Sequence, residues 1–201
     1  MKTDVISVSS SRKTLEAALE QAEKAAVYKG LTGKNALHLR LLTEEMTGMM
    51  RSITGKPEGL FWIEEQDGTY ELHLQVRKLL STVQKEQLLS ASTSGKNESA
   101  KGLMGRLREF FDWNSEEDIA VCTGPLMTPD MYEHSSSPTL DLEWSMTRYE
   151  RSLQNLMEQG DPAARESWDE LEKSVVKNVA DDVKVFIRNG IVEMVILKKM
   201  T

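Results

Sequence analysis

Glu44 is the residue whose type and setting come closest to catalytic machinery. It lies in Leu41-Leu42-Thr43-Glu44-Glu45-Met46-Thr47-Gly48, where the apolar residues recur at helical spacing. A carboxylate held on a helix can act as a general base, taking a proton from a hydroxyl or water beside it. Gly48 falls one helical turn later on the same side. A glycine inside a helix costs about 1 kcal/mol relative to alanine, which points to close approach of a ligand or another backbone there. A second group is Ser94-Gly95-Lys96-Asn97 with Lys101-Gly102-Leu103-Met104-Gly105. Glycines and lysines ahead of a helix N-terminus suit an anion, because exposed amides and ammonium groups both favour negative charge. Gly95-Lys96 is not a P-loop, since the spacing back to a first glycine fails and no Ser or Thr follows Lys96. Each feature also has a plain structural reading: a solvated Glu44, a Gly48 that packs against a neighbouring helix, and a polar connecting loop.

Metal and thiol chemistry have little support. Cys122 is the only cysteine, which excludes an intrachain disulfide and a cysteine-rich zinc site. His38, His73 and His134 show neither HxxxH nor HxH spacing, so no metal site is expected. Glu116, Glu117 and Asp118 read as a helix start or a solvated face. Trp144, Tyr149 and Trp168 sit at helical spacing and read as core rather than as a stacking platform.

The elements that must position these residues begin with a short β-prone run, Val5 to Val8, followed by hydroxyls able to cap a helix. Leu15, Ala18, Leu19, Ala22, Ala25 and Ala26 form one helical face that Gly30 ends. A second helix opens near Thr32 to Asn35, with Leu39, Leu42, Met46, Met49 and Ile53 as its apolar stripe. Leu60 to Glu65 and Thr69 to Arg77 read as strands around Asp67-Gly68, a favoured tight-turn pair. Tyr70, Leu72, Leu74 and Val76 alternate with polar residues, giving one buried and one wet face. Residues 88–101 have loop composition, and a helix is expected from Gly102, with Leu103, Leu107, Phe110 and Phe111 on its apolar side. Irregular chain follows over 112–134. A helix is expected from Pro138 to Gly160, carrying Leu142, Met146, Tyr149, Leu153 and Leu156. Asp161-Pro162 opens another, with Trp168, Leu171, Val175 and Val179. The chain closes on a hairpin around Asn189-Gly190, its last strand apolar enough to lie inside the sheet. No internal repeat is evident.

The 201 residues suit one domain with an insertion. A hydrophobic fraction of 39% and a charged fraction of 28% describe an ordinary globular chain. A net charge of -7 argues against a general nucleic-acid binder, which needs a basic face, and leaves a local basic patch open. No apolar run approaches the roughly 18 residues of a membrane span, and Asp4 interrupts the start where a signal peptide would be apolar. The expectation is therefore cytoplasmic, with no membrane and no nucleic acid.

The order strand, helix, helix, strand, strand, polar loop, helix and terminal hairpin is similar to the histidine-kinase-like ATPase (GHKL) superfamily. The short bacterial anti-sigma factor serine kinases are its most similar branch. The carrier is LRLLTEEMTGMM at residues 39–50: Thr43-Glu44 matches the family's Ser/Thr-Glu-x-x-x-Asn pattern until Gly48 replaces the Asn. The chain also resembles a clostridial family sharing LRLLTEEM, STSGKN and WDELEKS-like segments, which implies no activity.

The superfamily resemblance implies an α+β fold: a two-layer α/β sandwich, mixed sheet with helices on one face, plus an inserted helical pair. Residues 1–111 would be the first part, 112–182 the insertion, and 183–201 the hairpin completing the sheet. By the same resemblance Glu44 would polarise the attacking hydroxyl or water, while the Asn at Gly48's position would supply an oxygen to magnesium. That magnesium site is thus expected to be lost. The family's Asp-x-Gly-x-Gly, which accepts from the adenine amino group, would follow the long strand, where this chain has Arg77-Lys78-Leu79-Leu80-Ser81. Ser94, Gly95, Lys96, Asn97, Lys101, Gly102 and Gly105 stand where the family's phosphate-holding lid would be.

The leading expectation is a regulatory or protein-binding module with a degenerate nucleotide site, a protein partner and, if any cofactor, ATP or ADP. The alternative is an active ATP-dependent serine kinase or ATPase using Glu44 as base with Lys96 or Lys101 on phosphate. A third is a binder of another anionic small molecule. The apolar helix stripes also leave a homodimer open.

Overall fold

The structure, a computed structural model, describes residues 1–9, 11–54, 58–77, 142–188 and 191–200. Strand β1 (Ile6–Ser9) leads into α1 (Arg12–Tyr28), whose Ser11 cap accepts from the Thr14 N–H. This satisfies one of the first-turn amides that lack a partner within the helix. Gly30, at φ 67°, turns the chain after α1, and α2 (Gly33–Thr54) follows. β2 (Glu58–Gln66) and β3 (Thr69–Arg77) are joined by Asp67 and Gly68 at φ 51° and 78°. Positive φ at both turn residues gives the twist that matches two antiparallel strands, which is why Asp-Gly was informative.

The second described stretch begins with β4 (Leu142–Ser145), then α3 (Met146–Glu158), α4 (Pro162–Glu172), α5 (Val175–Val179), β5 (Asp182–Arg188) and β6 (Ile191–Lys199). Two expectations are corrected here. Leu142 to Ser145 is a strand, not helix, because Trp144 pairs across to Val185 and Ser145 is spent capping α3. The helix expected over Asp161 to Val179 is interrupted, because Ser174 caps a fresh turn by accepting from the Lys177 N–H.

The sheet has six strands in the order β1-β2-β3-β6-β5-β4, and every recorded pairing is antiparallel. The expected mixed sheet is thereby corrected to an open antiparallel one. Both hairpins pair sequential strands, and the central pair β3–β6 joins two halves of like order: strand, helices, strand, strand. The same sequence interval separates Thr69 from Ile191, Arg77 from Lys199 and Asp67 from Asn189. His73 accordingly faces its own counterpart, Val195, at the middle of the β3–β6 ladder. A pseudo-twofold axis normal to the sheet passes between them, and strands exchanged by such an axis run antiparallel. Gly30 and Gly160, both at positive φ, end the first helix of each half. This internal correspondence was not evident in the sequence, because almost none of the side chains are shared.

Helices cover one sheet face. Cross-strand rows Phe61–Leu74–Met194–Val185 and Ile63–Leu72–Ile196–Val183 are buried beneath them. Ala18, Ala22, Ala25 and Ala26 of α1 and Leu39, Leu42, Met46 and Met49 of α2 complete this core with Trp144, Tyr149, Leu153 and Leu171. Burial of such side chains is the main source of stability, about 1.5–3 kcal/mol for each large one. The fold is α+β, and among the described residues no helix is long and apolar enough to cross a membrane.

Candidate functional site

Helix α2 carries Glu44 and Gly48, and its core stripe sets where they point. With Leu39, Leu42 and Met46 fully buried, the residues half a turn away, Leu37, Glu44 and Gly48, are exposed. They form the outward face of α2, directed away from the sheet. Thr43 lies beside the core stripe and its hydroxyl donates to the Leu39 carbonyl at 2.9 Å. Thr47 donates to the Thr43 and Glu44 carbonyls, at 3.1 and 2.8 Å. Both hydroxyls are therefore engaged by the helix itself. Among the described residues, none forms a hydrogen bond or ion pair with the Glu44 carboxylate. A Cβ built on Gly48 would meet nothing within 4 Å.

The cavity beside α2 lies on its inner edge, lined by Val8, Ser9, Leu15, Thr47, Gly59, Leu74 and Val76, and measures about 20 Å³. That is room for about one water. Glu44 and Gly48 do not line it. Ser94, Gly95, Lys96, Asn97, Lys101, Gly102 and Gly105 lie outside the described residues. Among the described residues no group of three His, Cys, Asp or Glu side chains could hold a metal ion.

The sheet's second face gathers residues that motif reasoning passed over. His73 stacks on Trp62, ring centroids 4.8 Å apart and planes 6° from parallel. Its Nδ1 is 3.0 Å from Glu193 Oε1, and its Nε2 is 3.4 Å from Glu71 Oε2 without hydrogen-bond geometry. Trp62 donates its indole N–H to Glu64 at 2.8 Å, and Lys2 pairs with the same carboxylate at 2.8 Å. The Lys2 and Trp62 hydrogen bonds hold the Glu64 carboxyl below the usual carboxylate range. The alternation of β3 does place His73, Glu71 and Gln75 on the wet face. Their grouping with Trp62 and Glu193 depends on pairing between distant strands.

Two further titratable clusters lie at the ends of elements. The largely buried Glu65 pairs with Lys29 at the end of α1, accepts from the Gly68 N–H at 3.1 Å, and lies 3.6 Å from the Met1 ammonium. The Lys29 bond, then the Gly68 amide, lower its pKa. His38 of α2 has its Nδ1 buried and without a hydrogen bond. Burial first, then the charges of Lys34 and Lys198, push it below the ordinary histidine value. Trp144 and Tyr149 are core residues, as expected, although the indole N–H and phenol are also buried without partners. Comparison with protein-family models, curated proteins and solved structures finds no match.

Proposed function

We propose that this chain is a cytoplasmic regulatory or protein-binding module rather than an enzyme. In this reading it descends from a nucleotide-binding scaffold of histidine-kinase-like ATPase type whose nucleotide chemistry has lapsed. The observation that carries the proposal is the outward face of α2. Its Glu44 is solvated, and no described residue is bonded to its carboxylate. Catalysis by a general base requires a hydroxyl or water held within hydrogen-bond reach, and transfer to phosphate requires positioned positive charge. Gly48 supplies no oxygen for a metal. The order β1-α1-α2-β2-β3 and the intact core stripe of α2 are the features that support the scaffold part of the reading.

Exposed apolar side chains support a binding role. Val27, Tyr28 and Leu37 at the α1–α2 end are 79%, 77% and 60% exposed, and Val5 and Leu60 are 51% and 43% exposed. Single exposed apolar residues are ordinary, but grouped ones mark interaction surfaces. Calorimetric titration of the full chain with ATP and magnesium tests the proposal. No binding heat is expected at millimolar nucleotide, whereas micromolar, magnesium-dependent binding would sink the lapsed-site reading. Phosphate transfer lost on Glu44→Gln would establish the kinase alternative instead.

A further inference from the structure

We propose that the outward face of α2 pairs with the same face of a second copy of this chain, the two helices crossing antiparallel. This inference rests on the protein-binding reading above and names its partner. Lys34, Leu37, Leu41 and Glu44 recur at steps of three, four and three, so they form one stripe on the side of α2 away from the sheet. Leu37 is 60% exposed, and Leu41, between it and Glu44, is half-buried. The ion pair of Glu23 with Arg40 fixes α1 against α2. Because the two helices run in opposite directions, Val27, one turn beyond Glu23, comes level with Leu37, and it is 79% exposed. The apolar centre therefore spans both helices.

The charges on the stripe name the occupant. Lys34 and Glu44 are exposed, and among the described residues neither side chain forms an ion pair. They lie at equal distances on either side of the level of Leu39, about 15 Å apart at roughly 1.5 Å per residue. A face with one charge of each sign equally far from its middle is complementary to itself. In an antiparallel crossing centred at the level of Leu39, Lys34 of each copy meets Glu44 of the other, and Leu37 meets Leu41. A parallel crossing sets like charges level with each other. The other ions near the stripe are already matched, Arg40 with Glu23 and Lys24 with Glu20 at 2.7 Å, while Glu45 is half-buried to one side. A partner of a single sign leaves either Lys34 or Glu44 facing a like charge, which two-fold pairing avoids.

Sedimentation equilibrium of the full chain, from low micromolar to submillimolar concentration, tests this. The expected result is a reversible dimer that salt weakens. Leu37→Asp weakens it at least about tenfold, while Leu60→Lys on the opposite face of the sheet leaves it unchanged. Lys34→Glu and Glu44→Lys each weaken it at least about fivefold, and the double variant, with the charges exchanged, returns to within about threefold of the parent. Circular dichroism establishes that each variant is folded. A chain that stays monomeric over the whole range overturns the proposal. So does a dimer that Leu37→Asp leaves intact, because another surface then holds it. A double variant as weak as either single one overturns it too, because Lys34 and Glu44 then do not face each other. A failure here leaves the lapsed nucleotide site standing, since calorimetry with ATP tests that separately.

Discussion

Gly48→Ala is the substitution that best separates a glycine kept for a ligand from one that is merely tolerated. The residue lies within the long helix α2, at an exposed position where a new Cβ would meet nothing within 4 Å. No steric cost opposes the methyl group. The gain has two sources: alanine loses less backbone entropy on folding, and it shields the helix backbone from water. Together they amount to about 0.5–1 kcal/mol. For a chain of this size the melting temperature should rise by roughly 1–4 °C, since 1 kcal/mol corresponds to about 2–4 °C. Thermal unfolding followed by circular dichroism, paired with a urea midpoint, measures it. A fall in both midpoints would refute the reasoning, because it would mean that another group packs against the Gly48 Cα. Gly48→Asn extends the test to chemistry. It places an amide where the histidine-kinase-like pattern has one, and under the proposal of a lapsed nucleotide site magnesium-dependent ATP binding does not appear.

Gly59→Ala should act in the opposite direction, because its Cβ would lie 2.7 Å from the Gln75 carbonyl oxygen and 2.9 Å from Val76 Cγ2. The carbonyl belongs to the paired strand and cannot swing away, so a loss of about 1–3 kcal/mol in urea unfolding is expected; a neutral result would show that the β2–β3 ladder yields easily. Phe61→Ala, at a fully buried position, should cost about 3–5 kcal/mol by the same measurement. Glu44→Gln should change stability by less than about 0.5 kcal/mol, and a larger loss would reveal a partner for its carboxylate. Glu65 supplies a pH dependence. Its folded pKa lies below the ordinary 4.5, held there first by Lys29 and then by the Gly68 amide, so the unfolded chain binds more protons between those two values. Its stabilisation is complete above about pH 4.5 and is lost as the pH falls through the folded pKa; Glu65→Gln should flatten that part of the acid limb, and an unchanged acid limb would contradict the assignment.

Much of the fold was legible in local patterns. The stripe Leu39, Leu42, Met46 and Met49 names the buried side of α2, because a helix can bury only one face against a sheet. Asp67-Gly68 announces its hairpin because positive φ at both residues is costly for most side chains. The interior position expected for the last strand is also observed, with β6 between β3 and β5. By contrast, Leu142 to Ser145 fit a helical repeat as well as an edge strand. Their pairing with residues of β5 about forty positions later is not a local property.

The candidate site was legible only in part. Glu44 and Gly48 share a helix face whatever the tertiary structure. Whether that face meets a cleft or water depends on what packs around α2, and the described structure leaves it outward. The cluster of Trp62, His73, Glu71 and Glu193 had no sequence motif, since its members come from three strands.

Helix stripes, caps and tight turns were therefore determined by the sequence by itself, because each depends on residues within a turn or two of one another. Strand order, the pseudo-twofold pairing of His73 with Val195 and the grouping of Trp62, His73, Glu71 and Glu193 were decided only by the tertiary structure. The physical reason is range: backbone propensity acts over a few residues, whereas the sheet joins segments far apart along the chain through burial and ladder hydrogen bonds that no local pattern encodes.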